Sequence, residues 1–199
     1  MKDEFLPTEG APLVLDIQLR DPQGRLVQHI HRPSQSYLYN FMRFINISIT
    51  PATQAGAGSY KATGTSGNLV YLRPGQNAVT GGAGSLACLV VGGGTNTLFG
   101  TSFRLGSFIY PGTLSNNLNF GAGAIGATTV SAGTVDIRYQ RAFTNNSGSA
   151  VRVREAGWLR RQTSPAGAHL FIRDLVGGAG IRVGTLASLT VSYTLRTVR

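Results

Sequence analysis

Residues 134–196 read TVDIRYQRAFTNNSGSAVRVREAGWLRRQTSPAGAHLFIRDLVGGAGIRVGTLASLTVSYTLR, and their rhythm decides the fold. In the first arm Val135, Ile137, Tyr139 and Phe143 share one parity, with Asp136, Arg138 and Gln140 on the other. After the TNNSG turn, Val151 and Val153 alternate with Arg152 and Arg154. In the last arm Leu189, Val191, Tyr193 and Leu195 alternate with Thr190, Ser192, Thr194 and Arg196. A period of two marks a strand with one buried and one wet face, and antiparallel sheets carry that pattern. The C-terminal third therefore predicts four antiparallel strands, and the rest of the chain must supply a layer to cover their apolar face.

The remaining composition agrees with an all-β chain. At 199 residues, 42% of them apolar, it is long enough for one substantial core. Its 27 glycines fall in clusters without a fixed period, which fits turn-rich antiparallel structure better than a repeat fold. Charge is sparse and lopsided: 16 Arg, 2 Lys and 8 carboxylates give a formal +10. Residues 1–21 hold five of those carboxylates and carry −3, leaving +13 on the remainder. No stretch is long and apolar enough to span a bilayer, and MKDEFLPTEG is not a secretory leader. The lone cysteine, Cys88, sits in the apolar run ACLVV and reads as a small buried hydrophobe.

Taken in order, residues 1–12 predict an extended arm, and residues 13–199 a single domain. PLVLDIQLRD, the DPQG turn and RLVQHIHRP predict a β-hairpin. From Ser34 to Ser48 the period changes. Tyr37, Leu38, Phe41, Phe44, Ile45 and Ser48 recur at threes and fours, the mark of a helix near 34–48. Residues 50–67, rich in Gly, Ala and Thr, predict a long exposed loop. NLVYLRP and SLACLVVGGGT predict strands, the second buried, and NAVTGGAGS between them predicts a loop.

The glycine runs LVVGGGT and GGAGIRVG lack the Lys-Ser/Thr pair of a phosphate loop and the following helix of a dinucleotide site, so they read as turns. His29 and His31, two apart on a strand, point the same way; without a carboxylate or thiol nearby in sequence they read as structural or solvent-facing, although His169 or Cys88 could approach in space. No GxSxG or HExxH motif occurs, and Asp174 reads as a buried ion-pair partner. The expectation is a protein with no catalytic residues, cofactor or metal. Its strongest surface feature is a basic stripe formed by Arg138, Arg141, Arg152, Arg154, Arg160 and Arg161. That stripe suits an acidic partner, and the arm with Asp3, Glu4 and Glu9 is one, docking on a neighbouring subunit. Nucleic acid is the rival partner.

From about Ala87 onward the order of pieces resembles a widespread group of tailed-bacteriophage virion proteins. LVVGGGT is followed by RLGSFI, NLNFGA, RAFTNNSG, VRVREAGWL, HLFIRDLV and IRVGTLASLTVSYTL. Trp158 departs from the smaller apolar residue usual there. The resemblance implies a jelly-roll-like β-sandwich with long Gly-rich loops and a non-enzymatic structural role. The protein expected is a capsid auxiliary (decoration or cement) protein of the virion, made in the host cytoplasm. Its partners would be its own copies, as a homo-oligomer such as a trimer, and the major capsid protein. A head–tail neck or tail-fibre-associated protein is the alternative.

Overall fold

The period-two arms of the sequence become ladders in a computed structural model of the chain, which describes residues 13–34, 38, 40–43, 45, 61–71, 77–78, 81–97, 99, 101–131, 133–163 and 166–197. The strands are β1 (Leu13–Arg20), β2 (Leu26–Pro33), β3 (Lys61–Thr63), β4 (Leu69–Tyr71), β5 (Asn77–Ala78), β6 (Cys88–Gly92) and β7 (Asn119–Ile125). They continue as β8 (Thr129–Ser131), β9 (Thr134–Thr144), β10 (Val151–Val153), β11 (Glu155–Thr163), β12 (Ala166–Leu175), β13 (Ile181–Val183) and β14 (Ser188–Thr197). The larger sheet runs β2-β1-β14-β9-β7, with β8 also on β9. A second sheet runs β12-β11, with β5 and β6 both on β11. Two short ribbons, β10-β13 and β3-β4, complete the described structure. Every ladder is antiparallel.

Both sheets feed one core. The larger sheet contributes Leu15, Ile17, Phe143, Leu189, Val191 and Tyr193; the second contributes Leu89, Val91, Trp158, Leu170 and Ile172. Tyr139 on β9 meets Trp158 on β11 at 4.2 Å between ring centroids, which joins the sheets in a sandwich-like arrangement. Each Leu, Ile or Val so buried contributes about 1.5–3 kcal/mol relative to exposure.

The predicted hairpin forms as β1 and β2, closed by a turn in which the Gly24 N–H donates to the Asp21 carbonyl at 2.9 Å. The C-terminal strands form too, but not as one four-stranded set. β9 pairs with β14 in the larger sheet, β11 with β12 in the second, and β10 with β13 apart from both. Asn145 is the reason. Its amide donates to the carbonyls of Ser149 (2.7 Å) and Val183 (2.8 Å), and its backbone exchanges bonds with Leu186 and Ala187. The TNNSG turn is thereby tied to the turn before β14, and the chain leaves the larger sheet instead of folding back along β9.

Within 34–48, residues 40–43 and 45 are helical and Ser34 and Leu38 are not, while 35–37, 39, 44 and 46–48 lie outside the described residues; Leu38 and Phe41 are buried as predicted, but Ile45, expected on the apolar face, is exposed. Two further expectations are corrected. Within 50–67, residues 61–63 form a strand, with Ala62 buried, because Asn40 brackets it. The Asn40 Oδ1 accepts the Thr63 N–H at 3.2 Å while its Nδ2 donates to the Thr63 carbonyl at 2.9 Å. Asn77 and Ala78, expected in a loop, pair with β11. The arm 1–12 and residues 50–60 lie outside the described residues.

Candidate functional site

Strand parity and hairpin register assemble a polar cluster on the outward face of the larger sheet. Leu13, Leu15, Ile17 and Leu19 take the inward positions of β1, which turns Asp16 and Gln18 outward. Asp16 stands opposite His31, and Gln18 opposite His29, in the β1–β2 ladder. The Asp16 Oδ2 lies 2.7 Å from the His29 Nε2 and 3.0 Å from the His31 Nδ1. The other carboxylate oxygen, Oδ1, accepts from the Gln18 Nε2 at 3.3 Å and lies 3.8 Å from the Arg138 Nη2. Partial burial opposes the charge on Asp16, but the two imidazole contacts and the Arg138 charge prevail and hold its carboxyl below the usual range. Beside His31 a shallow groove of about 220 Å³ runs across the sheet, floored by Val14 and Thr194 and walled by Asp136, Arg138 and Arg196.

Along the chain no carboxylate stands beside His29 and His31. The structure supplies Asp16 from the neighbouring strand, whereas the two groups considered in its place are buried in the second sheet, His169 on β12 and Cys88 on β6. The signal was present: Asp16 has the outward parity of its strand, and the DPQG turn brings that strand back along β2.

The basic stripe does not survive as one surface. Arg138, Arg152 and Arg161 are exposed and Arg154 is half-buried, but they sit on β9, β10, β11 and the link between β10 and β11. Arg141 and Arg160 are buried, contrary to their place in the stripe. Arg141 shares the inward parity of Tyr139 and Phe143. It donates to the carbonyls of Gly121 (2.8 Å), Ala87 (3.0 Å), Leu89 (3.1 Å) and Gly82 (3.2 Å), and its guanidinium lies 5.0 Å from the Phe120 ring centroid. Burial lowers its pKa. Arg160 is buried because β11 is covered on both faces; its guanidinium lies 6.0 Å from the Phe171 ring centroid, and burial brings its pKa down to about 10. Asp3, Glu4 and Glu9 lie outside the described residues.

The glycine turn after β6 holds an anion after all, and the anion belongs to the chain. Glu155, fully buried, accepts the N–H groups of Gly94 (3.0 Å), Ser107 (2.9 Å) and Gly106 (3.0 Å), and the Arg173 Nε at 2.8 Å. A Cβ on Gly92 or Gly94 would meet the Glu155 Oε1 at 2.5 Å, so both positions require glycine. Asp174, the expected ion-pair partner, points to the opposite face of β12 from Arg173. It accepts from Ser34 Oγ (2.6 Å) and Tyr193 OH (2.9 Å).

His169 stands opposite Arg160 in the β11–β12 ladder, fully buried. Burial, then the Arg160 charge, brings its pKa down to about 4. The unfolded chain takes up this proton near pH 6.5 and the folded chain only near 4, so stability is full above pH 6.5 and falls between the two values. The expected loss is about 3 kcal/mol by pH 4. Unfolding midpoints measured against pH should show it, and the difference between wild type and His169→Gln should flatten that part of the profile.

No protein family matches the chain, and no curated protein or solved structure does.

Proposed function

We propose that this chain is a non-enzymatic structural subunit of a tailed-bacteriophage virion, a capsid auxiliary protein that decorates or cements the shell. The motif order quoted above supports the phage reading. In the structure those motifs do architectural work: the Asn of FTNNSG joins two turns, and the Glu of VRVREAGWL pins two loops. Each of the five described carboxylates is engaged by a neighbouring cation, imidazole, hydroxyl or amide. That supports a structural role over acid–base chemistry. A jelly-roll-like wrapping of the two sheets fits the same role.

The observation that carries the proposal is the outer edge of the larger sheet, the strand β2. β2 is eight residues long, and no described strand pairs along its outer side. Leu26 and Val27 are 50% and 61% exposed on it. Edge strands of this length invite pairing with another chain, and assemblies close them with neighbouring subunits. Its partners under this reading are further copies of the chain and the major capsid protein.

Particles assembled without this chain should lose heat or pressure tolerance; equal tolerance overturns the proposal. Copy number separates its two forms. Many copies following the shell lattice place the chain on the capsid, and a single ring places it at the neck or tail. Salt-sensitive retention on DNA, abolished by Arg152→Ser with Arg154→Ser, would favour the nucleic-acid rival.

A further inference from the structure

We propose that Asp16, His29 and His31 form a binding site for one divalent transition-metal ion of the kind that imidazole favours, with zinc as its representative. Two imidazoles and a carboxylate are a common three-ligand set for such ions, leaving further positions for water. The geometry is close to what one ion requires. Donor atoms at about 2.0–2.2 Å from a metal stand about 3.0–3.5 Å from one another around a tetrahedral or octahedral ion. Here Oδ2 of Asp16 is 2.7 Å and 3.0 Å from the two ring nitrogens, and all three donors lie within 4.8 Å of one another.

The surroundings favour a site over a chance encounter of polar groups. Both histidines and the aspartate are fixed on paired strands, with the imidazole centroids 6.0 Å apart. Gln18 donates to Oδ1, which turns Oδ2 toward the histidines, the task of an outer ligand sphere. The imidazoles are 38% and 39% exposed, so an ion reaches them from solvent and keeps open positions facing it. The ion is bound by the neutral imidazoles in the tautomers whose lone pairs face Oδ2, each ring keeping its one N–H on the other nitrogen. Calcium and magnesium, which take oxygen-rich shells, are poorly served by this set. The Arg138 charge beside the carboxylate weakens the attraction and holds the affinity below that of a dedicated structural site.

Calorimetric titration of the untagged full chain with zinc chloride tests the site. One ion per chain is expected, with no comparable binding of magnesium. His29→Gln and His31→Gln should each weaken zinc binding by more than ~10-fold, Gln18→Ala by ~10-fold, and Arg138→Gln should strengthen it. The chain has three histidines, and in proton NMR the ring signals of His29 and His31 should shift with zinc while those of buried His169 stay. Both glutamine replacements fall on solvent-accessible positions, and circular dichroism without zinc confirms that the variants remain folded. Absence of zinc binding, equal binding by folded His31→Gln, or a response confined to His169 overturns the proposal.

Discussion

Glu155→Gln is expected to lower the unfolding free energy by about 3–5 kcal/mol, the range for breaking one partner out of a buried ion pair. The carboxylate accepts four donors: three backbone N–H groups from the loops after β6 and the Arg173 guanidinium. An amide keeps the shape and reverses half of the chemistry. Whichever way it is placed, its NH₂ faces donors that previously met an oxygen, and Arg173 is left buried beside a neutral group. At roughly 2–4 °C per kcal/mol for a chain of this size, the melting temperature should fall by roughly 6–20 °C. Trp158, the only tryptophan, is buried between Tyr139 and Phe171 and reports the transition by fluorescence. A loss below about 1 kcal/mol, the scale of one ordinary hydrogen bond, would mean that the glycine loops hold their shape without the glutamate.

Arg141→Met is expected to cost about 2–5 kcal/mol. Its four carbonyl partners stay in place when the guanidinium is removed, and an unsatisfied buried acceptor costs about 1–3 kcal/mol. The contacts with the Phe120 and Phe143 rings are lost as well. Arg141→Lys should recover little of this. An ammonium keeps the charge but lacks the planar fork that spans carbonyls from Gly82, Ala87, Leu89 and Gly121 at once. Denaturant unfolding of the two variants measures both losses. A neutral effect of Arg141→Met would show that water reaches those carbonyls in its place.

These two residues also show where the sequence was legible and where it was not. The rhythm of β1, β9 and β14 was readable because each has one apolar and one polar face, and burial follows it at Leu15, Ile17, Phe143, Leu189 and Val191. Arg141 was readable by the same rule, since its parity is that of Tyr139 and Phe143; its charge suggested the surface, but the parity was the better guide. Arg160 was not readable. From Glu155 to Arg160 every residue of β11 is buried, because the loop holding Leu105 and Gly106 covers one face and the core covers the other. A strand sheltered on both sides has no alternation to read. The role of Glu155 was hidden for another reason: three of its four donors are backbone N–H groups, which no side-chain pattern records.

The Asp16–His29–His31 cluster falls between these cases. Parity showed both histidines on one face and Asp16 on the outer face of its own strand. The pairing that joins them depends on a register shift beside Leu19 and Arg20. A one-residue slip there would carry the histidines out of line with Asp16.

The placement of β14 between β1 and β9 has a consequence for synthesis. The nascent chain delivers the first strand of the larger sheet long before the strand that zips it to β9. Until residues 188–197 leave the ribosome, β1 is paired, among the described strands, only with β2, and β9 only with β7 and β8, so each leaves open the edge that β14 will occupy. The sheet therefore closes only once Ser188–Thr197 has emerged, and its closing ladders, above all β1 with β14, join sequence-distant strands, which are slow to form. A ribosome stalled before Ser188 yields a product prone to clumping through those two open edges.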